Sequence, residues 1–564
     1  MIENVIFNKV EKIYGKGNAI SITQDILGLI NKWKVEKPIY QSWVDEKTSY
    51  LITYGDSFSS DGEKTLSTMK KFADKYLKNI ISNIHILPMF PYTSDDGFSV
   101  VDYRKIDPKL GSWQELNALS DNFDLMYDCV INHISKSSDW FQRYLAGDEQ
   151  YQEYFIESDP SLNYSSVTRP RSLPLLTPFN KALGEISYVW TTFSDDQIDI
   201  NFHNPKVLLE SIDILLMYAA NGGRSIRLDA IGFIWKILET SCIHLPQAHE
   251  IIQLWRIILD KAIPGTLLIT ETNVPHRENI SYFGQGNEAH MVYQFPLPPL
   301  TLHAFMSENS QMLTMWAKGL TSEAMQSLHE GHKTTYFNFL ASHDGIGVRP
   351  TEGILTNDDR LMMCKQVERK GGRVNYKDNG DGTQSPYELN INYLSALTEP
   401  DDNSTKKSDK FLAAQSILLS FIGVPAIYYH SLLGSENDVK AMLESGINRR
   451  INREKFNLDE LETELEDSEA LRYKVYNQMV SLLGLRQQLS AFSPQSSQKV
   501  LELGEGIFAL IRGEGEEAIR FIVNITSSPQ DIYLDDGGVD VITNASFSNT
   551  FTLKPYQFVW LMQQ

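Results

Sequence analysis

"SIRLDAIGFIWK" (residues 225–236) begins as a short β-type run and stops on an arginine, a leucine and an aspartate, with a glycine three residues further on. A structural ion pair would account for Arg227 and Asp229 taken alone. The rest of the chain repeats the pattern, however. Seven more short apolar runs follow the same grammar: "SYLITYG" (49–55), "NIHILPM" (83–89), "DLMYDCVIN" (124–132), "TLLITETN" (266–273), "HMVYQF" (290–295), "YFNFLASHD" (336–344) and "PAIYYH" (425–430). Helical patterns lie between them, for example over 64–78, 205–220, 247–261 and 411–421. Strands alternating with helices imply parallel βαβ units. Eight such units predict a closed (β/α)8 barrel of the α/β class.

The remaining segments attach to that barrel. Residues 1–48 read as an N-terminal helical extension, with Ile26, Leu27 and Ile30 at helical spacing. The catalytic barrel is expected over 49–493 and is interrupted twice. One insert covers about 134–200, rich in Pro, Ser and aromatics ("RPRSLPLLTPF"); the other covers about 345–405 and contains "ERKGGRVNYKDNGDGT". Loops of that length inside a compact domain are small domains or functional lids. From 494 to 564 the pattern turns to short alternating strands such as "AIRFIVNIT" and "FTLKPYQFVWLM", which predict an antiparallel β domain.

Composition narrows the function. The chain has 564 residues and a formal charge of −21, from 51 Lys and Arg against 72 Asp and Glu. Nucleic acid and anionic membrane both need clustered cations and are disfavoured as partners. An anionic substrate would need a local basic pocket working against the overall field. Cys129, Cys242 and Cys364 are scattered and odd in number, so neither a disulfide framework nor a zinc site is supported. The start of the chain, "MIENVIFNKVEKIYGK", lacks a signal-peptide pattern, and no apolar stretch reaches membrane-span length. A cytoplasmic location and a small-molecule substrate follow as expectations. The oligomeric state is open, with a homodimer among the options.

In a (β/α)8 barrel the active site lies at the carboxyl ends of the strands. Titratable residues recur there: Asp56 after the first run, Asp128, Asn132 and His133 after the third, Arg227 and Asp229 after the fourth. Glu271 follows the fifth, and His343 and Asp344 the seventh. A cap or ion pair explains any one of these better than catalysis does. For five strands together that explanation is poor. The cluster suits glycosyl transfer, which with retention needs a carboxylate nucleophile and a second carboxyl about 5–5.5 Å away to protonate the leaving oxygen. Asp229 and Glu271 end neighbouring strands. Arg227 should lower the pKa of Asp229 and keep it ionised, while a more apolar wall should keep Glu271 protonated. Asp344 would steady developing positive charge, and His133 and His343 would donate hydrogen bonds to the sugar.

"DCVINH", "IRLDAIG", "ETN" and "LASHDGIG" resemble the four short motifs of the α-amylase-like glycoside hydrolase superfamily, in order and on the expected strands. The resemblance covers roughly residues 48–564. Within the superfamily, "LITYGD", "HILPMFPYTSDDGFSVVDYRKIDPKLGSW", "VWTTFSDDQIDIN", "ASHDGIGVRP" and "GINR" resemble the sucrose phosphorylase subfamily. The resemblance implies that Asp229 is the nucleophile, Glu271 the acid/base and Asp344 the transition-state stabiliser. It further implies that Asp56 and Arg449 clamp the distal hydroxyls of glucose, with His133, Arg227 and His343 also in that subsite and Phe193 and Gln197 lining it. Phosphate, rather than water, would then take the glucosyl group. Arg169, Arg171, Arg349, and Arg373 with Lys377, all in the inserts, are the candidate anion ligands.

Departures from that subfamily concern the acceptor. Asn273 stands where its members carry histidine two residues after the acid/base, Phe233 where they carry tyrosine, and "VRPTEGIL" replaces their loop after "DGIG". These features look more like the branch acting on glucosylglycerate, whose carboxylate needs an arginine such as Arg349. The expected reaction is reversible phosphorolysis of 2-O-α-glucosylglycerate to α-glucose 1-phosphate and glycerate. Sucrose or glucosylglycerol phosphorolysis and plain α-glucoside hydrolysis are the alternatives. A non-catalytic module is disfavoured because all three carboxylates are present. No cofactor or metal is required. Oxygen ligands in "DNGDG" (378–382) would permit a structural Ca²⁺, but the spacing is not that of an EF-hand and a turn is the simpler reading.

Overall fold

In the computed structural model, which describes residues 2–36, 40, 43–171, 173–182, 184–378 and 383–563, each of the eight apolar runs carries a strand. These are β1 (Tyr50–Thr53), β2 (Asn83–Ile86), β3 (Asp124–Cys129), β4 (Gly223–Leu228), β5 (Leu267–Thr270), β6 (Met291–Tyr293), β7 (Thr335–Asn338) and β8 (Val424–Tyr428). They pair in chain order and close through a parallel β1–β8 contact. The expected barrel is therefore the observed one. Its strands are buried on both faces, which is why they read as unbroken apolar runs rather than alternating ones.

The expected helices are present with adjusted ends. Thr65–Tyr76, Pro205–Ala220 and Pro246–Ala262 match closely, and the last helix is longer than its apolar pattern, running Ser404–Ser420. Its start is set by Asn403, whose side chain accepts the backbone N–H of Lys406. Asn204 does the same for Lys206, one residue after a proline at the first helical position.

Inside the barrel, Tyr50 hydrogen-bonds Ser225 across the lumen at 2.7 Å and its ring meets Phe337 edge-on at 5.1 Å. Towards the carboxyl ends of the strands the filling becomes ionic. Asp128 and Arg227 are register partners on β3 and β4, so their side chains stand side by side in an ion pair. His85 of β2 adds a 2.7 Å hydrogen bond to Asp128.

Two helices, Ile2–Tyr14 and Lys16–Trp33, cover the outside of the barrel at Pro205–Ala220 and Pro246–Ala262. They bury Ile6, Val10, Ile22, Ile26 and Ile30. Trp33 Nε1 and Lys32 Nζ both reach Asp213 Oδ1 at 2.8 Å, and Tyr14 donates to the Phe202 carbonyl at 2.8 Å. After β3 the chain forms two antiparallel ribbons, His133–Ser135 with Gln197–Asp199 and Leu176–Asn180 with Ile186–Trp190. After β7 it forms a three-stranded sheet of Ile346–Gly347, Gln384–Asn390 and Arg373–Asp378. Residues 379–382, within the "DNGDG" stretch considered for Ca²⁺, lie outside the described residues. Among the described residues no helix is long and apolar enough to cross a membrane.

The last 70 or so residues build a six-stranded antiparallel sheet centred on Ile507–Arg512, Ile519–Asn524 and Phe558–Met562. It docks on the carboxyl end of Ser404–Ser420. Trp560 Nε1 donates to Ser420 Oγ at 2.8 Å, and Arg512 donates to the carbonyls of Ser420 at 3.0 Å and Ser493 at 2.8 Å. Arg512 is fully buried with carbonyls as its hydrogen-bond acceptors. A cation at a helix carboxyl end is favoured by the helix dipole. Arg512→Leu should strand several buried carbonyls, each costing about 1–3 kcal/mol. A clear fall in the thermal unfolding midpoint, with active-site titrations unchanged, is the expected outcome.

Candidate active site

One cavity opens at the carboxyl ends of the barrel strands. Arg227 lies at its floor, 1% exposed. Its Nη1 pairs with Asp128 and, at 2.8 Å, with Asp229 Oδ1; its Nη2 is 3.7 Å from Glu271 Oε2. The guanidinium also lies 5.6 Å from the Phe98 ring and 5.4 Å from that of Tyr293. Its position is thus fixed by ion pairs in one plane and by aromatic rings beside it. Directly after Asp229 the chain turns through Ala230 in a left-handed conformation (φ 49°), which brings the Ala230 N–H to 3.3 Å from Glu271 Oε2. A strained non-glycine residue at this point serves to deliver two carboxylates to one place.

The pKa of Asp229 differs in direction from the sequence expectation. Burial, reinforced by the negative charges of Glu271 and Asp128, outweighs Arg227 and pushes Asp229 up to about 8. Burial raises Glu271 as well. Arg227 therefore does not hold Asp229 low in this state, and the two carboxyls retain a shared proton near neutrality. The closer contact of Arg227 is with Asp229, which favours the charge there and the proton on Glu271. An ionised carboxylate beside a protonated one is the arrangement that retaining glycosyl transfer uses.

Asp344 faces the pair and behaves oppositely. Burial alone would raise it, but the guanidinium charges of Arg449 and Arg453 hold its carboxyl well below the usual carboxylate range. Arg449 Nη1 is 2.7 Å from Asp344 Oδ1. Burial pushes His133 down to about 4 and His343 to about 3, so both are neutral at physiological pH. His343 stacks on Phe98 at 4.8 Å with the rings almost parallel.

Asp95 also enters the cavity, 3.9 Å from Arg449 Nη1 and 3.5 Å from Arg171 Nη2. It sits in "YTSDDGF", where Asp95 (φ 54°) and Asp96 (φ 46°) are both left-handed. Asp96 anchors the turn through Arg450 at 2.7 Å and Arg453 at 2.6 Å. Gly97 follows at φ 114°, where a Cβ would lie 2.8 Å from the Pro88 carbonyl. That anchored turn holds Asp95 towards the cavity.

The structure brings together Asp229, Glu271, Asp344, His133, Phe193, Gln197, Arg227, His343 and Arg449, and with them Arg171 and Asn273. It does not bring Asp56. That carboxylate is 44% exposed and pairs with Lys455, outside the cavity lining. The acid beside Arg449 is Asp95 instead, and the two aspartates followed by a glycine were its visible signal. Four of the proposed anion ligands also stand outside the lining, Lys377 on the strand Arg373–Asp378 among them. Arg169 donates to the Leu173 carbonyl, Arg373 is exposed and donates to the Gly372 carbonyl at 2.9 Å, and Arg349 lies two residues beyond the lining residue Gly347. Tyr387 and Glu388, from the second insert, line the cavity with no sequence signal to announce them.

The family model for the α-amylase catalytic domain matches residues 53–368. The chain belongs to the α-amylase family. This α-amylase-family chain is 48% identical to the glucosylglycerate phosphorylase of Allomeiothermus silvanus over 92% of its own length and 91% of the relative's. The glucosylglycerate phosphorylase of Escherichia coli is 43% identical over 92% of each chain. The sucrose 6(F)-phosphate phosphorylase of Thermoanaerobacterium thermosaccharolyticum is 27% identical over 78% of this chain and 88% of its own. A crystal structure of sucrose 6F-phosphate phosphorylase from Thermoanaerobacter thermosaccharolyticum shares the fold, with a TM-score of 0.73 and 23% identity over 90% of this chain and 98% of that one.

The shared proton is directly testable. Glu271→Gln removes one of the negative charges that raise Asp229, so Asp229 should titrate lower in the variant than in the unaltered enzyme. Carboxyl ¹³C shifts followed against pH would show it, and an unmoved midpoint would break the coupling assigned here.

Proposed function

We propose that the chain is a retaining α-glucosyl phosphorylase that converts 2-O-α-D-glucosylglycerate and inorganic phosphate to α-D-glucose 1-phosphate and glycerate. The observation that carries this reading is the 48% identity to a glucosylglycerate phosphorylase along nearly the whole chain, joined to a cavity in which one arginine bridges two carboxyls.

In the first step Asp229 Oδ attacks C1 of the glucosyl ring. The bond from C1 to the glycerate O2 breaks, and that oxygen takes its proton from Glu271. A β-glucosyl ester on Asp229 results. In the second step a phosphate oxygen attacks C1 from the face that glycerate left. Asp229 departs as carboxylate, and the phosphate proton passes to Glu271. Two inversions give overall retention. A guanidinium bridging both carboxyls favours the short separation, about 5–5.5 Å, that this chemistry needs.

The other residues take roles from their positions. Asp95 and Arg449 clamp the distal hydroxyls of the glucose ring, replacing the expected Asp56–Arg449 pair. Asp344, kept anionic by its arginines, faces the positive charge that grows at C1. His133, His343, Phe193 and Gln197 shape the sugar subsite. Arg171 supplies the anion contact at the mouth. It is the cation of the cavity lining not already engaged on two carboxylates at close range: Arg227 holds Asp128 and Asp229, Arg449 holds Asp344 and Glu388, and Arg171 has Asp95 at 3.5 Å. Its guanidinium lies 5.9 Å from the Phe193 ring, which orients it without neutralising it. Phosphate and the glycerate carboxylate would use this contact in turn. Asn273, with a buried Oδ1 lacking a partner among the described residues, lines the acceptor side near Glu271. A cytoplasmic location fits three free cysteines, all buried.

The test is synthesis from α-glucose 1-phosphate with glycerate, glycerol, fructose, fructose 6-phosphate and glucose as acceptors. Fast phosphate release with glycerate alone is expected, and Asp229→Asn should reduce it by on the order of 10³-fold or more with the fold intact. Release mainly with fructose would replace the substrate, and release with no acceptor would make the chain a hydrolase. The pH dependence of kcat/KM should be bell-shaped. Its alkaline limb should lie above the ordinary carboxyl range, because burial raises both members of the pair and above the upper pKa no proton remains for the leaving oxygen.

A further inference from the structure

We infer that Glu388 is the positioning residue that sets Asp344 and Arg449 in their working geometry, an inference that rests on the phosphorylase reading above. Glu388 is 3% exposed and lies on the central strand of the sheet inserted after β7. Its Oε1 accepts the backbone N–H of Gly345 at 2.6 Å and Arg449 Nε at 3.0 Å. Its Oε2 accepts Arg449 Nη2 at 3.3 Å and Asn375 Nδ2 at 3.2 Å.

These bonds converge on one ion pair. Gly345 is the residue after Asp344, so Glu388 fixes the backbone that carries the aspartate. Arg449 presents its Nε and Nη2 edge to Glu388, which leaves Nη1 directed at Asp344 Oδ1, 2.7 Å away. One carboxylate therefore holds both members of the Arg449–Asp344 pair, one by its backbone and the other by its guanidinium edge. The approach is close enough to require glycine at 345, where a Cβ would stand 2.5 Å from Glu388 Cγ and 2.7 Å from the Leu389 carbonyl. Asn375 extends the hold, since its Oδ1 accepts Asn448 Nδ2 at 2.8 Å, next to Arg449. The second insert thus reaches the catalytic carboxylate through Glu388, with no need to touch the reacting atoms. Arginine has five donors and a long flexible stem, and a bidentate partner on its far edge removes the alternatives.

The decisive probe is α-glucosyl fluoride, whose leaving group needs no proton and whose glucosyl group passes from Asp229 to water as the only acceptor supplied. With Glu388→Gln, which keeps the shape and removes the charge, kcat for fluoride release should fall about 10–100-fold, since a misplacement of about 1 Å can cost on the order of 10²-fold. The KM for phosphate in phosphorolysis should stay within about threefold, below the tenfold that one lost binding contact of 1.4 kcal/mol gives, and the unfolding midpoint should be little changed. Asn375→Ala should lower the same kcat by a smaller factor, and it tests the network without altering a charge. Fluoride release at the unaltered rate from folded Glu388→Gln would overturn the inference. So would a raised acceptor KM with fluoride release intact, which would make Glu388 an acceptor ligand. An unaltered enzyme that releases no fluoride and no phosphate would overturn the phosphorylase reading, and this inference with it.

Discussion

The buried guanidinium of Arg227 is the constraint on which the site depends. Removing a cation of this kind from water costs several kcal/mol. A unit charge pair at 4 Å returns roughly 4 kcal/mol at an effective dielectric of 20, and each buried carboxylate adds a desolvation cost of its own, so the guanidinium must be shared among several carboxyls that do not all ionise. Arg227 has Asp128 and Asp229 in contact and Glu271 at 3.7 Å. Those carboxylates are in turn too buried to ionise together. The result is a cluster that must keep a proton, and the raised pKa values of Asp229 and Glu271 express it. A site that retains one proton between two carboxyls already contains an acid and a nucleophile. The catalytic asymmetry follows from geometry, because the arginine touches one carboxyl and only approaches the other.

The same reasoning explains how an acidic protein handles anions. The chain carries a formal charge of −21, yet its cavity floor and walls hold Arg171, Arg227 and Arg449. Arg227 and Arg449 are committed to carboxylates at close range and contribute order rather than free positive potential. In the proposed reaction an incoming phosphate would find its attraction at Arg171, whose guanidinium lies 5.9 Å from the Phe193 ring. That division would keep the strong ion pairs where the sugar needs rigid partners, and leave an adaptable cation where two different anions exchange.

The barrel was legible because burial on both faces forces each strand to be a short unbroken apolar run, and because the runs end in polar residues where the solvent-accessible rim begins. Asp229, Glu271 and Asp344 were legible for the same reason, each lying within a few residues of a strand end. Asp56 had that signature too and does not line the cavity, since a residue one turn past the strand can face either the lumen or the rim. Asp95 lacked the signature: it lies nine residues beyond Ile86, on a loop whose direction is set by two left-handed aspartates and a glycine packed against Pro88. Glu388 had no local mark. Its partners Gly345 and Arg449 are 43 and 61 residues away in sequence, so only the folded insert brings them together.

On the proposed function, the inserts would carry the specificity that the barrel leaves open. Barrel strand ends supply Arg227, Asp229, Glu271 and Asp344 on elements whose register is fixed by parallel pairing. Such ends cannot be altered much without disturbing neighbours in the ladder. The loop bearing Arg171 and the sheet bearing Tyr387 and Glu388 have no such restriction, because their pairing is mostly internal. A change of acceptor therefore needs a change only in those segments, provided that the contacts tying them to the floor survive. Glu388 is one such tie. It couples an acceptor-facing strand to the Arg449–Asp344 pair, so substitutions that reshape the acceptor side through Tyr387 also act on the chemical step through the next residue. Acceptor preference and turnover should consequently change together in variants at Tyr387, and independently in variants of the Arg171 loop.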